Sequence, residues 1–79
     1  MLMPLPKVYT TPNCPTCLRV KEYFKSIGTA YEEVRVDLDD KAAEELIEKS
    51  GQMTVPVTEI GDSIITGFNP GAIRIALGK

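Results

Sequence analysis

The sequence predicts an α/β fold of order βαβαββα, with a four-stranded mixed sheet flanked by three helices, and three observations carry that expectation. Stretches rich in β-branched residues alternate with stretches whose apolar residues recur every three to four positions, the period of a half-buried helix. Each helical stretch is also bracketed by chain punctuation: a Pro or Asp where it starts and a Gly where it stops. Finally, Gly61-Asp62 separates the last two extended stretches. Glycine first in a two-residue loop suits a type II′ hairpin, so these strands should be antiparallel neighbours. The helix between the first two strands implies instead a right-handed crossover and a parallel pair. With 79 residues, 43% of them hydrophobic, the chain can fill one two-layer core and no second, so residues 1–79 are expected to form a single domain.

The elements follow in order. Lys7 to Thr11 is β-branched and aromatic and reads as the first strand, which Pro12-Asn13 ends in a turn. From about Pro15 to Ile27 the apolar positions Val20, Phe24 and Ile27 mark a helix, with Arg19, Lys21, Glu22 and Lys25 off the stripe and Gly28 as its stop. After Ala30, Val34, Val36 and Leu38 alternate with Glu33, Arg35 and Asp37, which is the period of a strand with one buried face. Asp39 or Asp40 caps a second helix, whose apolar Ala42, Ala43, Leu46 and Ile47 oppose Glu44, Glu45, Glu48 and Lys49; Ser50-Gly51 closes it. Within Gln52–Ile60 lies the third strand, with Pro56 at or near its first residue, where a ladder donor can be spared. Ser63 to Thr66 returns as the fourth. Asn69 as cap and Pro70 as first residue announce a third helix that turns Ile73, Ala76 and Leu77 inward and stops at Gly78.

The chemistry centres on Cys14-Pro15-Thr16-Cys17, which contains the chain's two cysteines. Stepping back from Val20 by three residues reaches Cys17, so Cys17 opens the buried stripe and Cys14 stands one turn earlier, at the helix start. Pro15 fits the first helical position, where its missing N–H removes nothing the helix needs. The free N–H groups of Thr16 and Cys17 can then point at the Cys14 sulfur. A helix N-terminus stabilises a thiolate, moving a cysteine pKa from roughly 8.5 into a range of about 3.5 to 7.5. Cys14 is therefore expected to be the nucleophile and Cys17 the resolving thiol of a redox-active Cys14–Cys17 disulfide.

Composition narrows the alternatives. The nine basic residues are scattered against eleven acidic ones, for a net charge of −2, so no nucleic-acid footprint is expected. Met1-Leu2-Met3-Pro4-Leu5-Pro6 has two prolines, no basic flank and no run long enough for a leader or membrane span. A secreted domain of this size would carry several disulfides, whereas a lone Cys-x-x-Cys in a reducing compartment points to catalysis or metal, and the expectation is a cytoplasmic monomer. As a structural staple the pair would close too short a loop to constrain the unfolded chain much. Two thiolates suit Cu(I), but copper chaperones of βαββαβ order need two strands after the first helix and a final strand. Structural zinc lacks two of four thiolates and any histidine. The reading is no bound metal, with a metallochaperone as the rival class and a cluster-bridged dimer left open.

Tyr9-Thr10-Thr11-Pro12-Asn13-Cys14-Pro15-Thr16-Cys17, Thr54-Val55-Pro56, and Gly67-Phe68 with the helix after it resemble the glutaredoxin branch of the thioredoxin-like superfamily over nearly the whole chain. The resemblance implies a thioredoxin-like fold and thiol–disulfide oxidoreductase activity. It also implies a cis Pro56 lying against the dithiol, and a Val55 whose backbone pairs with an extended substrate, in the manner of strand addition. Pro12, Thr54, Gly67 and Phe68 complete the substrate-binding set that it implies.

Glutathione-dependent members usually show Gly-Gly and then an acidic residue after the fourth strand. Here the region reads Thr66-Gly67-Phe68-Asn69-Pro70-Gly71, more similar to the NrdH-redoxin subtype. That subtype takes electrons from thioredoxin reductase and passes them to ribonucleotide reductase, which would make those proteins the partners. The chain departs from it at Thr11, where a lysine is common, at Gly71, where an acidic residue is common, and at Pro15-Thr16, which is closer to ordinary glutaredoxins. Glutathione as the electron source is thus the alternative.

Overall fold

In the computed structural model, which describes residues 5–78, the chain forms β1 (Lys7–Thr10), α1 (Pro15–Ser26), β2 (Glu32–Arg35), α2 (Asp40–Ser50), β3 (Val57–Ile60), β4 (Ser63–Thr66) and α3 (Pro70–Leu77). The reading of Met1–Pro4 as neither leader nor membrane span lies outside the described residues. The sheet order is β2-β1-β3-β4, with β1 parallel to β2, antiparallel to β3, and β3 antiparallel to β4. This is the mixed four-stranded sheet of the thioredoxin-like fold. The strand that leads to Cys14 is therefore an inner one, and Val8, Tyr9 and Thr10 are wholly buried.

Alternation along β1 divides the core in two. Val8 packs with Val20 and Phe24 of α1, Ile73 of α3, and Ile60 and Ile65 of the hairpin. Tyr9 points the other way, to Leu46 of α2 and to Val57. So α1 and α3 cover one face and α2 the other. Each helix start is secured by a side chain: Asp39 accepts the Lys41 N–H at 2.9 Å and Asn69 accepts the Ala72 N–H at 3.1 Å. Lys49 braces α2 to the sheet, donating to Glu59 at 2.9 Å and to the Tyr9 hydroxyl at 3.2 Å. The Glu59 carboxylate is the main reason its ammonium titrates above its ordinary range.

The expected elements form, but the second strand is shorter than its alternation suggests. β2 ends at Arg35, and Leu38, expected to face inward, is 74% exposed. Strand β1 stops at Thr10, whose carbonyl accepts the Val36 N–H at 3.1 Å; beyond that there is no partner, and the chain turns, with Leu38 N–H donating to Arg35 at 3.3 Å. Ile47, expected on the buried stripe of α2, is 44% exposed, and the helix buries Ala42 and Leu46 instead. At the hairpin, Gly61 has φ 58° while no non-glycine among the described residues takes a positive φ, so Asp62 does not. That is the asymmetry of a type II′ turn.

Candidate active site

The site begins with the end of β1. After Thr10 the chain turns through Pro12-Asn13 and places Cys14 at the N-cap of α1 in an extended conformation (φ −129°, ψ 99°), with Pro15 at the first helical position. The Cys14 sulfur accepts the Cys17 N–H at 3.1 Å. Of the two N–H groups expected at the sulfur, only that of Cys17 makes this bond; the Thr16 N–H does not. Cys17 heads the buried stripe Cys17, Val20, Phe24 and is 1% exposed, whereas Cys14 is half-buried; both are free thiols. Burial, followed by the hydrogen bond with Cys14, pushes the Cys17 thiol up to about 11, while the Thr11 backbone and the Lys21 charge pull the other way.

A second loop closes over the first. The Val55–Pro56 bond is cis and Pro56 is buried, as the family resemblance implies. The Val55 carbonyl lies 3.8 Å from the Cys14 sulfur, positioned to accept from its S–H. The Pro56 carbonyl in turn accepts the Gly67 N–H at 2.9 Å, so the segment after β4 latches the segment before β3. Gly67 holds that position at φ 71°, which side-chain-bearing residues rarely adopt. Val55 thus stands beside Cys14, with the hydrogen bond between Pro56 and Gly67 behind it. Thr54 is exposed on the same loop. Phe68 leans away: its ring meets Tyr23 edge-on at 6.3 Å and borders a shallow cleft with Arg19, Glu22 and Ser26 of α1.

On the other side of Cys14 runs an open groove of about 550 Å³, lined by Thr11, Pro12, Asn13, Pro15 and Leu18, with Lys21, Glu33 and Arg35 as its charged wall. Glu33 is the hub of that wall. One of its carboxylate oxygens accepts from the buried Thr10 hydroxyl at 2.7 Å and from the Lys21 ammonium at 3.0 Å, which together hold its pKa below the usual carboxylate range. Arg35 forks onto Asp37 through two bonds of 2.8 and 2.7 Å.

Sequence reasoning placed Pro12 at the site but missed Leu18, Lys21, Glu33 and Arg35. A signal was available for three of them. Lys21 is four residues after Cys17, on the same side of the helix. Glu33 and Arg35 alternate with Val34, which packs toward Tyr9, so they point to the face that α1 covers.

The sequence profile of the glutaredoxin family matches residues 7–65. An uncharacterised glutaredoxin-like 8.6 kDa protein in the rubredoxin operon of Clostridium pasteurianum is 45% identical over 73 residues, spanning 92% of this chain and 97% of that protein. The glutaredoxin of Methanosarcina mazei superposes with a TM-score of 0.86 at 27% identity, covering 95% of this chain and 79% of that one. The glutaredoxin-like NrdH-redoxin of Escherichia coli superposes with a TM-score of 0.81 at 31% identity, covering 89% and 91%. A dithiol at a helix start, a cis-proline segment against it, and a match of this extent place the chain in the glutaredoxin family of thiol–disulfide oxidoreductases.

Proposed function

We propose that the protein is a dithiol reductase of protein disulfides, of the NrdH-redoxin kind: reduced by thioredoxin reductase, it would donate electrons to ribonucleotide reductase. The observation that carries the dithiol chemistry is the Cys14 sulfur at the start of α1, receiving the Cys17 N–H at 3.1 Å with the Val55 carbonyl at 3.8 Å.

In this reading the Cys14 thiolate attacks one sulfur of the substrate disulfide. A Cys14–substrate bond forms, the substrate bond breaks, and the first substrate thiol leaves. Cys17 then gives up its proton and attacks the Cys14 sulfur, closing the Cys14–Cys17 bond and releasing the second substrate thiol. Two electrons and two protons pass from the dithiol to the substrate, and a reductant restores the dithiol. While the mixed disulfide exists, Cys14 carries no charge and no longer competes for the Cys17 proton. Two of the influences that keep the Cys17 thiol protonated are then gone, and burial remains.

The choice of subtype rests on the loop Gly67-Phe68-Asn69-Pro70 and on likeness to the E. coli NrdH-redoxin, a glutaredoxin-like protein described by its thioredoxin-like activity profile. A glutathione donor is the competing reading, because Lys21 and Arg35 stand in the groove beside Cys14, where a tripeptide carboxylate could meet them. Each is already bonded to a carboxylate, Glu33 or Asp37, which favours a protein donor. The deciding experiment is an NADPH-coupled assay of the oxidised protein on one disulfide substrate, comparing thioredoxin reductase with glutathione plus glutathione reductase. Turnover through thioredoxin reductase alone is expected; turnover through glutathione alone would make it an ordinary glutaredoxin.

A further inference from the structure

The resolving step asks for a thiolate where the structure makes one costly. Cys17 is 1% exposed, and at neutral pH only a small fraction of so buried a thiol is ionised. Something on the protein must favour its charged form when Cys14 is tied to the substrate. Of the two cations in the groove wall, Lys21 and Arg35, only Lys21 shares the helix with Cys17. Lys21 lies on α1 four residues after Cys17, on the same flank of the helix, and borders the groove that Cys14 opens into.

Its ammonium has a defined partner at the rim of the groove. It is tied at 3.0 Å to the Glu33 carboxylate of β2, and the same oxygen is fixed from beneath at 2.7 Å by Thr10 of β1, a residue with no exposed surface. Helix, edge strand and inner strand thus hold one lysine in the groove that Cys14 lines.

From this cluster we propose that Lys21 supplies the positive charge that favours the Cys17 thiolate in the resolving step, with Glu33 and Thr10 as positioning residues that keep the ammonium in place. The direction of the Lys21 influence on the Cys17 thiol agrees, since Lys21 and the Thr11 backbone are the two groups that draw it toward ionisation. The Thr11 contribution is backbone and present in any variant. Lys21 is the side chain that can be changed.

The proposal deepens the reading that Cys14 attacks and Cys17 resolves, and it governs how long the mixed disulfide lives. Lys21 is the smallest of the influences on the Cys17 thiol, so the effect is modest, and thiol chemistry sets its upper bound. Raising a thiol pKa by one unit reduces its thiolate about tenfold but makes that thiolate a better nucleophile, with a Brønsted slope of about 0.4–0.5, so the net loss is about three- to fourfold.

The test uses the reduced full chain and 4,4′-dithiodipyridine, an uncharged disulfide that releases one thiopyridone when Cys14 attacks and another when Cys17 resolves. Stopped-flow absorbance separates a first phase that scales with reagent concentration from a second that does not. Lys21→Met, which keeps the length of the side chain and removes the charge, is expected to slow the second phase, by up to about threefold, and by more than it slows the first. Lys21→Arg, which keeps the charge, is expected to recover most of the loss. An unchanged second phase in Lys21→Met, or equal slowing in Met and Arg variants, would overturn the role of charge. Cys17→Ser separates this from failure of the underlying reading: it should abolish the second phase, and if that phase survives, Cys17 is not the resolving thiol.

Discussion

At the scale of single residues, the structure ties charge state to burial. Cys17 titrates in the folded protein at about 11, against an ordinary value near 9, so between those limits the native state keeps a proton that the unfolded chain has lost. Stability from this source is therefore complete below about pH 9 and is lost as pH rises towards 11, by an amount on the order of 2 kcal/mol. The expected result is that urea midpoints of the reduced protein fall over that interval and that Cys17→Ala flattens the fall; parallel curves for the two proteins would contradict the cause assigned here. Thr58 illustrates the opposite economy. It is wholly buried opposite Val8, and its hydroxyl has no hydrogen-bond partner among the described residues. Thr58→Val keeps the volume and removes the unpaired group, so it is expected to stabilise the protein by about 1 kcal/mol, measured by the same urea titration.

At the scale of elements, two loops from distant parts of the chain make one site because each is anchored by backbone. The loop before β3 brings Val55 to the Cys14 sulfur, and the turn after β4 holds it there through the Gly67 N–H on Pro56. Gly67 has open space around its Cα but a φ of 71°, so adding a methyl group strains the backbone rather than clashing. Gly67→Ala is expected to cost about 1 kcal/mol of stability and to raise KM for a protein disulfide more than for a small one. A loss of stability with no change in that ratio would reduce Gly67 to a turn residue. The extent of β2 shows the limit of reading elements from periodicity alone. Val36 and Leu38 continue the alternation, but a strand lasts only as long as its neighbour, and β1 ends at Thr10.

At the scale of the whole molecule, one thin sheet separates two small cores, and each depends on a few large side chains. Phe24 is fully buried between Val8, Val20 and Ile73 and stacks at 5.2 Å on Tyr31, while Leu46 serves the other face. Phe24→Ala is expected to cost about 3–5 kcal/mol, a large part of the stability of a domain this size, and to leave a reduced or absent cooperative transition by circular dichroism. With a radius of gyration of 11.7 Å over its Cα atoms, the described chain is close to the value of about 12 Å that a compact unit of its length should have. Among the described residues, no helix is long and apolar enough to cross a membrane.

The order of elements, the helix caps, the hairpin and the Cys14-Pro15-Thr16-Cys17 motif were all legible in the sequence, because each rests on interactions within a few residues: a period, a cap, a turn residue. Cys14 at the start of α1 and Cys17 on its buried stripe belong to this class. Val55 beside the dithiol was implied by resemblance to a family, and the structure supplies the contact. What only the tertiary structure decided is which distant residues share a surface. Glu33 meets Thr10 and Lys21, and Gly67 reaches Pro56, through pairings whose register no local pattern encodes. Phe68 follows the same logic in reverse: adjacent to a site residue in sequence, it meets the Tyr23 ring on the flank of α1 instead. Local physics sets the pieces and their chemistry, whereas burial in a shared core sets which pieces touch.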